Sequence, residues 1–135
     1  VLEVGVGTGM NFKNYSDIDS LVGVEPDPHM LRRAQARTGE LPFPVTLEQA
    51  SAESLPFDDA SFDTAVMTWV LCTIPAPEQA LAEVFRVLRP GGRLVYAEHT
   101  RAKGSVAAGN PAPSQFNQSI LIVDPEGDPI ILDPD

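Results

Sequence analysis

The sequence is poor in basic residues and has a single cysteine. Nine lysines and arginines stand against 19 aspartates and glutamates, which gives a formal net charge of −10 at pH 7. Nucleic-acid surfaces need clustered lysine and arginine, and anionic lipid attracts basic segments, so neither partner is expected. The single cysteine, Cys72, excludes an internal disulfide and a cysteine-rich metal site, and it fits a reducing, cytoplasmic compartment.

The sequence also lacks an apolar run long enough to form a transmembrane segment, and its first residues do not resemble a signal peptide. At 135 residues it holds one domain at most and is short for a complete α/β nucleotide-binding fold. It starts on an apolar segment without an initiator methionine. We therefore expect a fragment, or a domain cut from a longer protein, whose preceding segment could still carry a membrane anchor.

Three glycines at alternate positions follow the first apolar segment. That segment predicts a short buried strand with one acid, and a short helix at best is predicted within residues 8–15. Glycine suits a backbone with positive φ or one that a ligand must approach closely. A strand that leads through a turn into a helix is the usual ligand crevice of an open α/β sheet. The sequence therefore predicts a ligand site over Glu3, Gly5, Val6, Gly7 and Gly9.

The glycine spacing distinguishes this turn from a dinucleotide fingerprint. That fingerprint needs a glycine at position 10 when counted from Gly5, but Met10 stands there. Glu3 would also repel the pyrophosphate that such a turn binds. A carboxylate beside the turn instead suits a ligand with a positively charged group.

The first nine residues resemble motif I of class I S-adenosylmethionine (SAM) methyltransferases. The resemblance implies an α/β fold with a Rossmann-like, mostly parallel sheet flanked by helices, here truncated at the N-terminus and atypical at the C-terminus. It also implies that SAM is the cofactor, that Glu3 serves its ammonium end, often through water, and that the glycines pass under its methionine part. A glycine turn in some other α/β protein is the alternative.

An acid ends the second predicted strand, over residues 21–25. Glu25 lies 20 residues after Gly5, where an α/β nucleotide site holds ribose hydroxyls with a carboxylate. SAM and NAD both carry that ribose, so this acid does not distinguish them. Pro26 follows it in the predicted cofactor site, and a helix is predicted next, over about residues 29–38.

The third predicted strand leads into a segment that resembles the third SAM motif of the family. Ser51 stands where the family often has Asp or Asn facing the adenine amino group. The resemblance implies that Ala52 offers its backbone N–H to the adenine ring. Because Ser51 departs from the family pattern, we expect the adenine contact to be either weaker or made by Glu53. Leu55 and Phe57 either close the apolar side of the adenine pocket or pack in the core.

The end of the fourth predicted strand, over residues 62–71, is expected near the methionine and methyl groups of SAM. Thr68 is the predicted cofactor-binding residue there. Trp69 either forms a wall of the acceptor site or packs in the core, and the core interpretation is favoured. Cys72 is interpreted as an inert, packed thiol, because no base is adjacent in sequence.

A helix from about residue 77 is predicted to end at residues 90–92, before a fifth strand over residues 93–99. Residues 85–99 are typical of the same methyltransferases, and the resemblance covers residues 1 to about 103. Within that superfamily the sequence looks like the methyltransferase-like thiol S-methyltransferases and their bacterial relatives, often labelled type 11 methyltransferases.

The last third does not continue the family pattern, and it divides the chain into three predicted parts. Residues 1–103 form the SAM-binding core. Residues 104–118 are rich in Gly, Ala, Pro, Ser and Asn, which predicts a flexible linker. Residues 119–135 form either a β-hairpin with a glycine turn or an exposed acidic tail.

Methyl transfer from a sulfonium is an in-line displacement with an activated leaving group, so the protein mainly positions donor and acceptor. No metal is needed, and no catalytic residue is assigned. His99 is a hypothetical general base, with a structural histidine as the alternative. The acidic charge and the absence of an Asn-Pro-Pro-Tyr signature favour a small or amphipathic acceptor, such as a thiol, a quinone-like ring or a lipid amine.

Three other interpretations stay open. The first is a chain that binds SAM without turnover, because segments that normally cover the acceptor lie outside this sequence. The second is an NAD-dependent oxidoreductase, which the shifted glycine and Glu3 oppose. The third is a non-catalytic module that has lost its cofactor, for which Ser51 leaves some room. The sequence predicts no oligomeric state.

Overall fold

The structure, a computed structural model, describes residues 1–101, 116–123 and 129–130. Its strands and helices are β1 (Leu2–Val4), β2 (Leu21–Val24), α1 (Pro28–Gln35), β3 (Val45–Glu48), β4 (Phe62–Thr68), α2 (Pro77–Val87), β5 (Leu88–Arg101), β6 (Phe116–Val123) and β7 (Pro129–Ile130). Single 3-10 turns lie at Phe12–Asn14 and Leu71–Thr73.

The strands of the described residues form one sheet in the order β3-β2-β1-β4-β5-β6-β7. The first five of these strands are parallel, and β6 and β7 pair antiparallel. The predicted α/β fold, with a Rossmann-like and mostly parallel sheet flanked by helices, is confirmed.

The strand order reverses at β1. Val4 at its end lies opposite Val24 of β2 on one side and opposite Met67 of β4 on the other. A reversal of this kind leaves a crevice at the carboxyl ends of the strands in an open α/β sheet. The ends of β1, β2 and β4 therefore meet where the glycine turn leaves the sheet.

Buried apolar side chains hold β1 between its neighbours. Leu2, Val4, Met67 and Leu94 on the strands and Val84 on α2 are almost completely buried and belong to one core cluster. Burying apolar surface stabilises the fold by roughly 25 cal/mol per Å². The glycine turn therefore starts from a strand that is fixed on both sides.

Helix α1 is shorter than the helix predicted over residues 29–38. The Asp27 side chain caps it by accepting hydrogen bonds from two backbone N–H groups, at 2.7 and 3.4 Å. The helix ends at Gln35, because the N–H groups of residues 37 and 38 donate to carbonyls three residues back, at 2.9 and 3.2 Å. This tighter turn replaces the last predicted helical turn.

The boundary between α2 and β5 also differs from the prediction. The helix ends at Val87, before the glycines at 91 and 92, and the strand already begins at Leu88. Gly91 has a φ of +78°, and the pairing register with β4 shifts between Phe62 and Thr64. The glycines therefore form an irregularity inside a longer strand instead of ending the helix.

Strand β6 extends the sheet beyond β5. It pairs antiparallel from Leu94 opposite Val123 to Arg101 opposite Phe116, and Ile122 of β6 lies opposite Ile130 of β7. It begins within the segment predicted as the linker 104–118. The rest of that segment and most of residues 119–135 lie outside the described residues, so the division of the chain into three parts stays a prediction.

Candidate cofactor site

Two depressions flank Gly5 at the carboxyl edge of the sheet, and together they form the candidate groove. Besides Gly5, the β2-side depression contains the predicted site residues Glu25, Pro26, Ser51, Ala52 and Glu53. The β4-side depression contains Gly5 with the predicted residues Glu3, Val6, Gly7 and Thr68. The fold therefore brings together all the predicted site residues except Gly9, although their role in binding stays a prediction.

The three glycines of the turn have different reasons to be glycine. Gly5, Gly7 and Gly9 have φ values of +76°, +55° and +78°, which other residues rarely adopt. A Cβ at Gly5 would collide with Val70, and one at Gly9 would lie 2.6 Å from the Phe12 ring, whereas one at Gly7 would meet nothing within 4 Å. Gly9 therefore serves packing beneath the turn and lines neither depression.

The Glu25 carboxylate connects the glycine turn to the start of α1. It is 7% exposed, and it accepts hydrogen bonds from the Gly7 N–H at 2.9 Å and the Asp27 N–H at 3.0 Å. The two bonds reach different oxygens, and each carboxylate oxygen has a second acceptor site. Glu25 is therefore held in place and can still accept a pair of ligand hydroxyls.

The Glu3 carboxylate lies on the other side of the turn and is only 1% exposed. Asn11 Nδ2 donates to one oxygen at 3.3 Å, and the Tyr15 hydroxyl donates to the other at 3.0 Å. The two donors flank the 3-10 turn at Phe12–Asn14, which replaces the short helix predicted within residues 8–15. Sequence reasoning missed both donors, because only this turn brings them to β1.

Burial makes the charge on Glu3 costly. It raises the pKa of Glu3 to about 7, while the hydrogen bonds from Tyr15 and Asn11 act in the opposite direction. Burial and the nearby Glu3 charge also raise the pKa of the Tyr15 hydroxyl, so Tyr15 stays a donor. No lysine or arginine forms an ion pair with Glu3 within the described part of the chain. A cationic ligand group would therefore stabilise the ionised carboxylate.

The segment at the end of β3 is held by its own side chains and by the start of α2. The Ser51 hydroxyl donates to the Glu53 carboxylate, and the Glu53 N–H donates back to that hydroxyl at 3.2 Å. The Gln79 side chain donates to the Glu53 carbonyl at 3.0 Å, and the Ala76 N–H donates to the Glu53 carboxylate at 3.4 Å. The hydrogen bond from Ser51 is the main cause that lowers the pKa of Glu53. The Ser51 hydroxyl is thus already hydrogen-bonded to Glu53, both as donor and as acceptor.

Different residues from those considered in the sequence form the apolar side of the β2-side depression. Leu55 is buried in the core and Phe57 packs against that core, with its ring 5.1 Å from the Phe62 ring, edge to face. The core interpretation of both residues therefore holds. The apolar lining comes instead from Ala50, Val70, Ile74 and Pro75. Three of these follow β4, and no local signal in the sequence marked them.

Arg86 of α2 anchors the segment that follows Glu53. Its guanidinium donates to the carbonyls of Leu55 at 3.1 Å and Phe57 at 2.8 Å. It also pairs with Glu83 at 2.7 Å and with Asp59 at 2.8 Å. The Leu55 N–H donates to Glu83 at 2.8 Å, which completes the attachment. Helix α2 therefore fixes the segment that directly follows Ser51, Ala52 and Glu53 of the β2-side depression.

The chain after β4 contradicts two interpretations from the sequence. Trp69 is not a core residue: it is 46% exposed, has a φ of +50° and lines the β4-side depression. Its N–H donates to the Ala97 carbonyl at 2.7 Å, which turns the chain out of the strand. Cys72 is also exposed rather than packed, because it lies in the 3-10 turn at Leu71–Thr73.

The described residues contain neither a group of metal ligands nor a helix that could span a membrane. Within residues 1–101 and the two short C-terminal strands, no three His, Cys, Asp or Glu side chains are grouped as metal ligands. None of the helices in the same residues is long and apolar enough for a membrane span. His99, the hypothetical base, lies on β5, where it pairs with Gln118 of β6.

Known proteins resemble the chain over most of the described residues. The family model for a methyltransferase domain matches residues 2–96. The chain is 38% identical over 123 residues to a phosphatidylethanolamine N-methyltransferase from Cereibacter sphaeroides, covering 89% of this chain and 61% of that protein. It is also 38% identical over 108 residues to thiol S-methyltransferase TMT1A from Homo sapiens, covering 78% of this chain and 44% of that protein.

A solved structure supports the same relationship. The fold matches a SAM-dependent methyltransferase from Thermotoga maritima with a TM-score of 0.60 and 37% identity, covering 71% of this chain and 42% of the other. The chain therefore spans between 42% and 61% of the length of these three proteins.

Proposed function

Because the chain belongs to the methyltransferase domain family, we propose that it binds SAM across Gly5 and transfers the methyl group to a small or amphipathic acceptor. The acceptor classes are a thiol, a quinone-like ring and a lipid amine. All three correspond to the names of relatives, which are a thiol S-methyltransferase, a demethylmenaquinone methyltransferase and a phosphatidylethanolamine N-methyltransferase. The cytoplasmic location expected from the sequence stays a prediction.

The observation that carries this proposal is the pair of buried carboxylates on the two sides of the glycine turn. Glu25 has acceptor capacity for hydroxyl groups, and Glu3 has neutral donors but no cationic partner among the described residues. SAM carries ribose hydroxyls at one end and an ammonium at the other. A dinucleotide would bring its pyrophosphate anion to the turn, where Glu3 would repel it.

We propose the following contacts from this arrangement and from the family resemblance. On the β2 side, Glu25 accepts the ribose hydroxyls, Pro26 lies beside the ribose, and the segment from Ser51 through Glu53 binds adenine through Ala52. On the β4 side, Glu3 faces the ammonium group, and Gly5, Val6 and Gly7 pass under the methionine part. Thr68 lies near the methyl group. Gly9 supports the turn by packing against Phe12.

Bound SAM supplies an activated methyl group, so the protein's part is to hold donor and acceptor in line. A lone pair of the thiol or amine, or an electron pair of the reduced (quinol) form of a quinone-like ring, would form the bond to the methyl carbon, and the carbon–sulfur bond would break with its electrons passing to sulfur. The acceptor would lose one proton to water in each case, because we assign no catalytic base. This chemistry needs neither a metal nor a redox partner.

Calorimetric titration of the 135-residue chain with SAM, with NADH as the control, tests the cofactor. We expect micromolar SAM binding and no heat with NADH. A folded chain that binds NADH instead would contradict the proposal. Transfer of a labelled methyl group to thiol, quinol and amine acceptors then tests turnover, and SAM binding without transfer would favour the non-catalytic alternative for this length of chain.

A further inference from the structure

We propose that Trp69 is a specificity-determining residue that contacts the methyl acceptor and selects acceptors with an apolar surface next to the reacting atom. Met10 forms the second apolar contact. This inference rests on the proposed function, because it places the acceptor beside the methyl group of SAM in the β4-side depression.

The backbone of Trp69 is the first observation. Its φ of +50° lies in the left-handed region, which is a genuine outlier for a bulky residue. The other non-glycine residues with positive φ among the described residues are Asp17 and Ala60, a small or short residue in each case. Backbone strain of this kind is unfavourable, and it tends to persist at ligand sites. The hydrogen bond to Ala97 holds the strained conformation.

The exposure of its side chain is the second observation. Trp69 is 46% exposed and Met10 is 56% exposed, and both line the β4-side depression. In the described part of the chain one other large hydrophobic residue, Met30 on α1, is comparably exposed at 43%, and it lines neither depression. An exposed indole forgoes the favourable burial of a large apolar surface. The strained backbone therefore keeps the indole at the mouth of the depression.

The position of the depression gives these two residues their role. Glu3, Gly7 and Thr68 line it, and they are the residues proposed for the methionine and methyl end of SAM. An acceptor that attacks the methyl carbon in line must lie on the open side of this end. Trp69 and Met10 are the exposed large apolar side chains that line this depression, so an alkyl or aromatic acceptor gains burial that a small polar acceptor does not.

The chain provides its own reporter, because Trp69 is the only tryptophan in the sequence. The full chain is loaded with S-adenosylhomocysteine and titrated with three pairs of probes. Each pair has an apolar and a polar member: benzyl mercaptan and 2-mercaptoethanol, menadiol and hydroquinone, 1-octylamine and ethanolamine. We expect at least one apolar probe to shift the indole emission to shorter wavelength and to bind at least about tenfold more tightly than its polar counterpart.

Substitutions at position 69 separate the effect of the indole side chain from the effect of the strained backbone. Trp69→Gly fits the positive φ without strain and removes the indole, so we expect it to lose the preference for the apolar probe in calorimetry. Its SAM affinity should stay within about threefold of the unsubstituted chain, a shift of less than a kcal/mol by the usual conversion. Trp69→Phe should restore part of the preference. Met10→Ala should weaken the binding of the apolar probe, and the matched control Met30→Ala should leave that binding unchanged.

The outcomes distinguish this inference from the proposed function. Failure of the chain to bind SAM overturns the proposed function, and this inference with it. If SAM binds but no apolar probe shifts the Trp69 emission, the proposed function stands and this inference is wrong. The inference is also wrong if Trp69→Gly keeps the full preference for apolar probes.

Discussion

The two sides of the groove hold their buried carboxylates in different ways. Glu25, on the β2 side, accepts hydrogen bonds from two backbone N–H groups, whereas Glu3, on the β4 side, accepts them from the side chains of Asn11 and Tyr15. Backbone donors are fixed by the fold, but side-chain donors can rotate away. The β2 side is therefore a rigid cradle, and the β4 side can adjust to what binds there.

The surroundings of the two acids show the same contrast. The β2 side is tied to α2 through Arg86 and Glu53, and its lining is largely apolar. The β4 side carries the exposed side chains of Trp69 and Met10. This difference matches the proposed function. Under that proposal, the β2 side binds the nucleoside of SAM, which is the same in every reaction, whereas the β4 side meets the acceptor, which can differ. A rigid site suits the first, and an adaptable one suits the second.

The largest effect should come from Gly5, which both sides share. Gly5→Ala combines a positive φ with a collision against Val70, so we expect it to lower the free energy of unfolding by about 3 kcal/mol. Gly7→Ala meets only the conformational cost, and we expect a loss of about 1 kcal/mol. Urea denaturation measures both. Equal losses would contradict the distinction between the two glycines.

The second effect concerns pH and the β4 side. The pKa of Glu3 is raised to about 7 in the fold from an ordinary value of 4.5. The folded chain therefore binds a proton more readily than the unfolded chain, and stability is lost as pH rises between these values. The loss is on the order of 3 kcal/mol above pH 7.

Denaturation of Glu3→Gln across this pH range tests that effect. The variant carries no charge at this position, so it should keep its stability above pH 7 and exceed the unsubstituted chain there. The account of Glu3 is wrong if Glu3→Gln loses stability with rising pH as steeply as the unsubstituted chain does.

The smallest effect should come from Arg86, which acts on the ligand only through the segment that follows Glu53. Arg86→Gln removes the hydrogen bonds to the Leu55 and Phe57 carbonyls, so this segment holds the neighbouring lining residues 51–53 less firmly. We expect SAM and 5′-methylthioadenosine to bind severalfold more weakly by calorimetry, with partial recovery in Arg86→Lys. The exposed Arg33 on α1 gives the control Arg33→Gln. No change in the affinity for 5′-methylthioadenosine would show that Arg86 is only structural.

The position of Glu25 on the β2 side could be predicted from the sequence because its signal is local, whereas the apolar lining that follows β4 could not. Glu25 ends an apolar strand at a fixed distance from the glycine turn, and that spacing is readable without knowing any distant contact. The parallel sheet was predictable for the same reason, from apolar segments separated by turn residues. The burial of Glu25 and its hydrogen bonds to backbone N–H groups could be seen only in the folded structure.

The β4 side could not be predicted in the same way. The exposure of Trp69 depends on a positive φ, which nothing in a run of apolar residues indicates. The donors to Glu3, Asn11 and Tyr15, reach it through a 3-10 turn where a short helix was expected. Cys72 is exposed for a related reason, since the chain leaves the sheet at Thr68, three residues earlier than predicted.

The measurement that tests the central claim most directly is calorimetry at pH 8 with SAM and with 5′-methylthioadenosine, which lacks the amino-acid end. The claim is that Glu25 and Glu3 bind opposite ends of one ligand. Glu25→Gln should lower the affinity for both ligands by about tenfold, because it removes the charged acceptor of the ribose hydroxyls that both ligands carry. Glu3→Gln should weaken SAM by a similar factor and leave 5′-methylthioadenosine unchanged, and the exposed control Glu78→Gln should affect neither. Equal losses for both ligands in Glu3→Gln, or no loss in either site variant, would contradict the account.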